Sequence, residues 1–385
     1  MVYDRRNEIS VITKQNNSAT IWAMALEKIR EKYERYERHI GSAALLVGFI
    51  FDNITFPNIN LGTAYLILFI YFVIAALGIV IVNVYEEWQV THGFLVRSRT
   101  WLLFLVQFSF GALFSSFVVF YSRSASIIAS WPFILVLVLL LIGNELLRKH
   151  YARLSLHMSV LFMALFSFMI FYTPVIVGKM GDEVFLVSGI LSLLIMFLFV
   201  YGLSYLTPRR VEAGRRMLLF CIAIVFVLVN VMYFLNIIPP IPLSLKDVDV
   251  YHAVVKDGEG NYVVQAEIPP SWLESIVSRE TVHVAPGETV YVFSAVFAPL
   301  YLTTDVTHRW YFYEPETGEW VFMSEATFPI TGGRKDGYRG YTWRSNVKPG
   351  LWRVDVGTPR GQVIGRIKFN IENVENVPQL ETSVR

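Results

Sequence analysis

"FPITGGRKDGYRGYTWRSNVKPGLWRVDV" runs from Phe328 to Val356, and its last seven residues decide how the rest is read. From Leu351 onward, Trp352, Val354 and Val356 fall on one side of an extended chain, and Arg353 and Asp355 on the other. Strict alternation of this kind marks a strand with one buried face. Gly332, Gly333, Gly337 and Gly350 fall where turns call for positive φ. The mixture of arginine, glycine and aromatics therefore reads first as strands and turns.

The same pattern extends in both directions. Strands are expected at Thr289–Phe297, Asp305–Tyr313, Trp320–Ser324, Tyr338–Arg344, Leu351–Gly357 and Val363–Ile371. Turn chemistry separates them: "APG", "PETGE", "TGGRKDG", "KPG" and "TPRG". "VYHAVV", "KDGEGN" and "YVVQAEI" read as a hairpin, and Pro269–Glu280 as a short helix. In the last strand Val363, Gly365, Ile367, Phe369 and Ile371 are expected inward, with Arg366 and Lys368 outward. Short strands at this spacing predict an all-β sandwich, immunoglobulin-like, over residues 248–371, with 372–385 a flexible polar tail.

Upstream the chemistry changes. Across the whole chain 54% of residues are hydrophobic and only 17% charged, where soluble proteins carry about 25%. Seven apolar segments predict a transmembrane bundle over 40–238: Ile40–Phe56, Leu61–Val84, Thr100–Tyr121, Ile127–Leu146, Leu154–Ile176, Val184–Leu206 and Met217–Ile237. The first carries Asp52 and Asn53, so whether it crosses fully stays open. Lys and Arg crowd into alternate loops: eight before the first segment, then Arg97 and Arg99, then Arg148, Lys149 and Arg153, then Arg209, Arg210, Arg215 and Arg216. By the positive-inside rule these loops face the cytoplasm. The N-terminus is then inside, and the β-domain outside after a proline-rich linker at 239–247.

Residues 1–39 are polar, so an internal helix is expected to start insertion. Trp22, Leu26, Ile29, Tyr33, Tyr36 and Ile40 line one face of an amphipathic cytoplasmic helix. It suits the membrane surface, the bundle's loops or a second copy of the chain, which leaves a homo-oligomer open.

Candidate sites are few. Arg309, Tyr311 and Tyr313 share one strand face, and Arg339, Tyr341 and Trp343 another. If those faces adjoin, they form an aromatic–arginine patch suited to sugar rings, peptide strands or carboxylates. His308 points to the core, where a histidine needs a hydrogen-bond partner. Within the bundle Gln107 and Asn230 are the buried amides, expected to bond between helices. Glu86, Glu87, Glu145 and His157 gather at the cytoplasmic edge, with Arg148 or His150 as partners for the glutamates. "EEWQVTH" (Glu86–His92) lacks zinc-protease spacing, and no nucleophile–base pair or cofactor loop stands out. No metal, cofactor or catalytic residue is expected. Cys221 reads as packing. Residues 239–385 hold 14 Lys/Arg against 18 Asp/Glu, which lacks the basic footprint of a nucleic-acid binder.

"HRWYFYEPETGEWV", "FPITGGRKDGYRGYTW" and "PGLWRVDVGTPRGQVIGRIKF" together resemble the bacterial domain of unknown function 2914 family, over Val306–Ile371. His308, Trp310, Gly333, Arg334, Gly337, Arg339, Gly350, Trp352, Gly365 and Arg366 stand at its recurring positions. The resemblance implies a small β-domain in envelope proteins, a bacterial inner membrane and a periplasmic location. It implies no activity. The expectation is thus a membrane-anchored protein whose outer domain binds an envelope protein or glycan. The alternatives are a transporter or lipid-handling protein working through the bundle, and a membrane enzyme at the cytoplasmic edge.

Overall fold

A computed structural model describes residues 61–88, 93–123, 131–139, 154–258, 260–268, 280–334 and 336–385. The first expected span, the N-terminal amphipathic helix and the helix expected at 269–280 lie outside these residues, apart from Glu280. Helices α1 (Leu61–Glu87), α2 (Gly93–Arg123), α3 (Leu154–Val177), α4 (Asp182–Leu206) and α5 (Pro208–Phe234) precede eleven strands, with a further helical stretch at 131–139.

The described residues do not support seven spans. Four helices are long and apolar enough to cross a membrane: Gly62–Glu87, Leu154–Val177, Asp182–Leu206 and Pro208–Phe234. The third expected span falls in α2, whose apolar part, Leu105–Tyr121, is shorter. Of the fourth, only 131–139 is described. Helix α3 is the hub, buried along most of its length and packed on α1, α2, α4 and α5. Its Phe166 stacks on Phe226 of α5 at 5.7 Å. Ile190 and Phe197 of α4 and Leu219 and Phe220 of α5 turn outward and are exposed, as a lipid-facing surface requires.

One end of the bundle is tied by charge. Glu87 accepts backbone N–H bonds from Arg209 and Arg210, both at 3.2 Å, so a side chain from α1 caps the first turn of α5. Glu86 pairs with Arg210. Trp88 Nε1 donates to the Leu206 carbonyl at 3.2 Å. The arginine-rich end of α5 and the β-domain thus sit at opposite ends of the same helix.

The β-domain has three layers. Strands β1 (Ser244–Tyr251), β5 (Thr289–Phe297) and β8 (Tyr338–Ser345) form a central sheet in the order β1-β5-β8. On one side lies a five-stranded sheet in the order β4-β10-β9-β6-β7, built from β4 (Glu280–Val284), β6 (Thr303–Glu314), β7 (Glu319–Thr331), β9 (Gly350–Gly357) and β10 (Val363–Asn373). Val250, Val292, Trp310, Trp352, Val354 and Phe369 fill the space between these two sheets. On the other side β2 (Ala253–Lys256), β3 (Tyr262–Glu267) and β11 (Leu380–Val384) form a small third sheet. Tyr251, Tyr262, Val264 and Phe293 seal it to the central one.

Several expectations change in this frame. The stretch read as a flexible tail supplies β11, paired antiparallel with β3 from Leu380↔Glu267 to Val384↔Val263. Strand β1 begins at Ser244, inside the expected linker. In β10 a register shift between Val363 and Gly365 puts Ile364 in the core and leaves Val363 half-buried, which breaks the simple alternation. Gly333, Gly337 and Gly350 have φ of 98°, 88° and 126°, as turns require. Gly332 is there for a different reason: a Cβ on it would lie 1.8 Å from the Pro299 carbonyl oxygen.

Candidate functional site

The two faces expected to form one patch do not adjoin. In β6, residues 306, 308, 310 and 312 face the central sheet and are buried. His308 Nδ1 lies 2.9 Å from Thr342 Oγ1, and Trp310 Nε1 donates to that same oxygen at 3.0 Å. Thr342 therefore points from β8 toward β6. Its neighbours Tyr341 and Trp343 point the opposite way, as does Arg339. The trio on β6 and the trio on β8 lie on opposite sides of the sandwich.

The β8 trio is mostly spoken for by the third sheet. Tyr341 packs edge-on to Tyr262 at 5.9 Å. Arg339 lies over the Tyr262 ring and donates to the Arg385 carbonyl near the chain end. Trp343 is exposed.

The β6 trio belongs to a larger outer face that strand pairing assembles. Strand β6 lies between β7 and β9, pairing Tyr311 with Phe322 and Arg353, and β9 pairs with β10, which sets Arg353 beside Lys368. The Arg353 guanidinium lies 4.2 Å from the Tyr311 ring centroid and 4.8 Å from that of Trp320. Lys368 Nζ lies 5.6 Å from the Trp320 ring. Tyr313 meets Trp320 edge-on at 5.4 Å, and Tyr311 meets Phe322 at 5.8 Å. Phe322 is exposed, and the other rings are half-buried. Partial burial pulls the Arg353 guanidinium below its ordinary value, opposed by the Asp355 carboxylate; it stays protonated.

One row closer to the bundle, charges alternate across four strands. Arg366 forks onto Asp355, with Nη2 to Oδ2 at 2.8 Å. Asp355 stands across from Arg309, which pairs with Glu325 at 2.7 Å. Arg309 also donates to the Thr358 and Pro359 carbonyls at 3.1 and 2.9 Å. Its role is to tie strands and a turn together, and it is not free for a ligand. Sequence reasoning therefore missed Arg353, Trp320, Phe322 and Lys368. Each sits at an outward position of its strand, and only the order β10-β9-β6-β7 makes them neighbours.

The interior is polar at one point. His308 is fully buried, with Nε2 2.8 Å from Ser294 Oγ. A chain of donation from Trp310 to Thr342, to His308, to Ser294 satisfies every one of these bonds with a neutral imidazole. Burial lowers the His308 pKa to about 3. Two further residues of the expected signature have structural contacts: Arg334 stacks on Tyr338 at 5.1 Å, and a Cβ on Gly365 would strike Leu245.

In the bundle Asn230 does not bond between helices as predicted. Asn230 is half-buried and donates to the Phe226 carbonyl of its own helix at 2.8 Å, and Gln107 is also half-buried. Glu145, Arg148 and His150 lie outside the described residues. Glu86 pairs with Arg210, and Glu87 accepts from the first-turn amides of α5. His157, in the first turn of α3, is buried. Among the described residues no three His, Cys, Asp or Glu side chains are grouped to hold a metal ion.

Residues 303–371 match the family described as "Protein of unknown function (DUF2914)". The matched segment runs from β6 into β10 and carries the buried His308–Trp310 pair and the whole aromatic–cationic face. No curated protein matches the chain. Among solved structures, a β-glucosidase from Listeria innocua in complex with gluconolactone aligns at 10% identity and a TM-score of 0.18, over 32% of this chain and 16% of that one. An immunoglobulin-like protein from Pseudomonas aeruginosa aligns at 13% identity and a TM-score of 0.18, over 33% of this chain and 97% of that one. Scores this low assign no fold. The chain spans about a sixth of the β-glucosidase it aligns with.

Proposed function

We propose that this is a membrane-anchored binding protein of the bacterial envelope. The helices hold a β-domain outside the inner membrane, and the outer face of its five-stranded sheet takes a protein or glycan partner. The observation that carries the reading is the cluster Tyr311, Tyr313, Trp320, Phe322, Arg353 and Lys368. Four rings and two cations share a surface on the side of the sheet away from the core, where Arg353 also pairs with Asp355 at 3.3 Å. Aromatic faces accept sugar rings or side chains, and the cations favour acidic groups on either.

The periplasmic placement is supported by charge. Arg209, Arg210, Arg215 and Arg216 gather at the end of α5 remote from the β-domain, and positive ends stay cytoplasmic. An immunoglobulin-like kinship of the sandwich is supported by the strand order, with β4 parallel to β10, and by Trp310 buried on β6, the counterpart of the strand that carries the core tryptophan in such domains.

The test is proximity crosslinking from the β-domain in intact cells, comparing the native protein with the double variant Arg353→Glu, Trp320→Ala. The expected result is one dominant envelope partner, captured at least tenfold less by the variant. Equal capture by a variant that keeps native hydrogen-exchange protection in β6 and β9 would remove this face from consideration.

A further inference from the structure

Between the helices and the β-domain lies a cavity of 460 Å³ that neither half forms alone. Its apolar floor comes from the helices: Ile170 and Pro174 of α3, and Val184 and Phe185 of α4. Its rim comes from the β-domain and the α3–α4 turn, and includes Lys179, Thr303, Thr304 and Asp305. The cavity sits where α3 ends at Val177 and α4 begins at Asp182, beside the exposed Ile176 and Val177. That is the depth at which an apolar helix surface gives way to polar chain, the headgroup level of a bilayer.

The walls are fixed in place. Thr303 N–H donates to the Gly178 carbonyl at 3.1 Å. Gln362 Nε2 donates to the Ile238 carbonyl at 3.1 Å. Arg360 donates to Asn236 Oδ1 at 3.1 Å, lies 4.3 Å from the Tyr233 ring and pairs with Asp182. Asp182 also accepts from the Tyr233 hydroxyl at 3.1 Å. Arg360 and Asp182 thus neutralise each other. Lys179 and Asp305 differ: both are exposed, and among the described residues neither forms a hydrogen bond or an ion pair through its side chain, with each other or with anything else. One cation and one anion are left open on the rim of an amphipathic cavity, with two threonine hydroxyls beside them.

We propose that this cavity binds a zwitterionic phospholipid from the outer leaflet. The phosphate meets Lys179 and the Thr303 and Thr304 hydroxyls, and the headgroup ammonium meets Asp305. The acyl glycerol end lies on the Ile170–Phe185 floor and leaves past Ile176 and Val177. An anionic lipid offers nothing to Asp305, and a water-soluble headgroup leaves the apolar floor empty. The lipid would contact helices and β-domain together and fix the angle at which the outer face is presented. This site is independent of the partner-binding face on β6, β7, β9 and β10.

The experiment uses the full chain, delipidated in mild detergent, with bound lipid counted by native mass spectrometry. The probes are phosphatidylethanolamine, phosphatidylglycerol of the same acyl chains, and free phosphoethanolamine. The expected result is one tightly held phosphatidylethanolamine, bound at least fivefold more weakly by Lys179→Gln. In Asp305→Asn the preference over phosphatidylglycerol should disappear. Both side chains are exposed, so both variants fold; native hydrogen-exchange protection at Thr303 confirms that the cavity persists. Equal binding of the two lipids by the native protein, or unchanged binding by both variants, would overturn the proposal. So would competition by free phosphoethanolamine at the same concentration as the lipid, since it would assign the site to a soluble ligand.

Discussion

Trp310→Ala is expected to cost the β-domain about 4 kcal/mol, within the usual range for deleting a buried aromatic. Trp310 is 1% exposed and stands where the two main sheets meet. Its ring makes edge contacts with Trp352 at 6.3 Å and Phe369 at 6.2 Å, so one deletion strips partners from both β9 and β10. The polar loss adds to the cavity. Without the indole N–H, Thr342 Oγ1 keeps its bond to His308 but loses its donor, in a space water does not reach. A cost of that size is a large part of the stability of a domain this size. The measurement is hydrogen exchange on the full-length protein in nanodiscs, comparing the opening free energy of β6 and β9 amides. Trp310→Phe restores most of the volume and none of the N–H, so it should recover more than half of the loss. If alanine and phenylalanine cost the same, the hydrogen bond outweighs the packing.

That tryptophan also shows what a linear reading can and cannot reach. Its inward orientation was legible, because Val306, His308, Trp310 and Phe312 alternate with polar or tyrosine neighbours, and period-two alternation is local information. The same holds for Trp352, Val354 and Val356. What failed was every inference that needed to know which strand lies beside which. Arg309 and Arg339 look alike on paper, yet one is tied to Glu325 and two turn carbonyls and the other serves the third sheet. The bulge beside Gly365 was invisible, because a one-residue slip in pairing leaves no trace in composition. Arg360 sat in a "TPRG" turn that read only as a turn. Its contacts to Asp182 and Asn236 come from docking two domains with more than a hundred residues between the partners. Helix existence was legible from apolar length where a helix is long, and among the described residues four helices are long and apolar enough to cross a membrane.

The second large effect is on pH. His308 is held neutral by burial, which pulls its pKa from the ordinary 6.5 to about 3. Its surroundings are Ser294, Thr342, Trp310 and the Phe328 ring, none of which carries a charge. In the unfolded chain the same imidazole takes up a proton below pH 6.5. In that range the unfolded state binds more protons than the folded one, so stability is full above pH 6.5 and is lost as pH falls toward 3. The slope is about 1.4 kcal/mol per pH unit. Glu267 is a separate case. Burial raises its pKa, but hydrogen bonds from His283 and His252 outweigh that and lower it below the ordinary 4.5. Its contribution is present above pH 4.5 and is lost only below that. The interval from pH 6.5 to 5.0 lies above the range in which Glu267 titrates, and the His308 contribution lost across it comes to about 1.6 kcal/mol. Opening free energies of β6 amides at the two pH values, corrected for intrinsic exchange, measure this directly. His308→Gln keeps hydrogen-bonding capacity and removes the titration, so its stability should be lower at pH 6.5 but nearly flat down to pH 5.0. An equal slope in both proteins would mean that the acid sensitivity comes from elsewhere and that His308 takes up its proton while still folded.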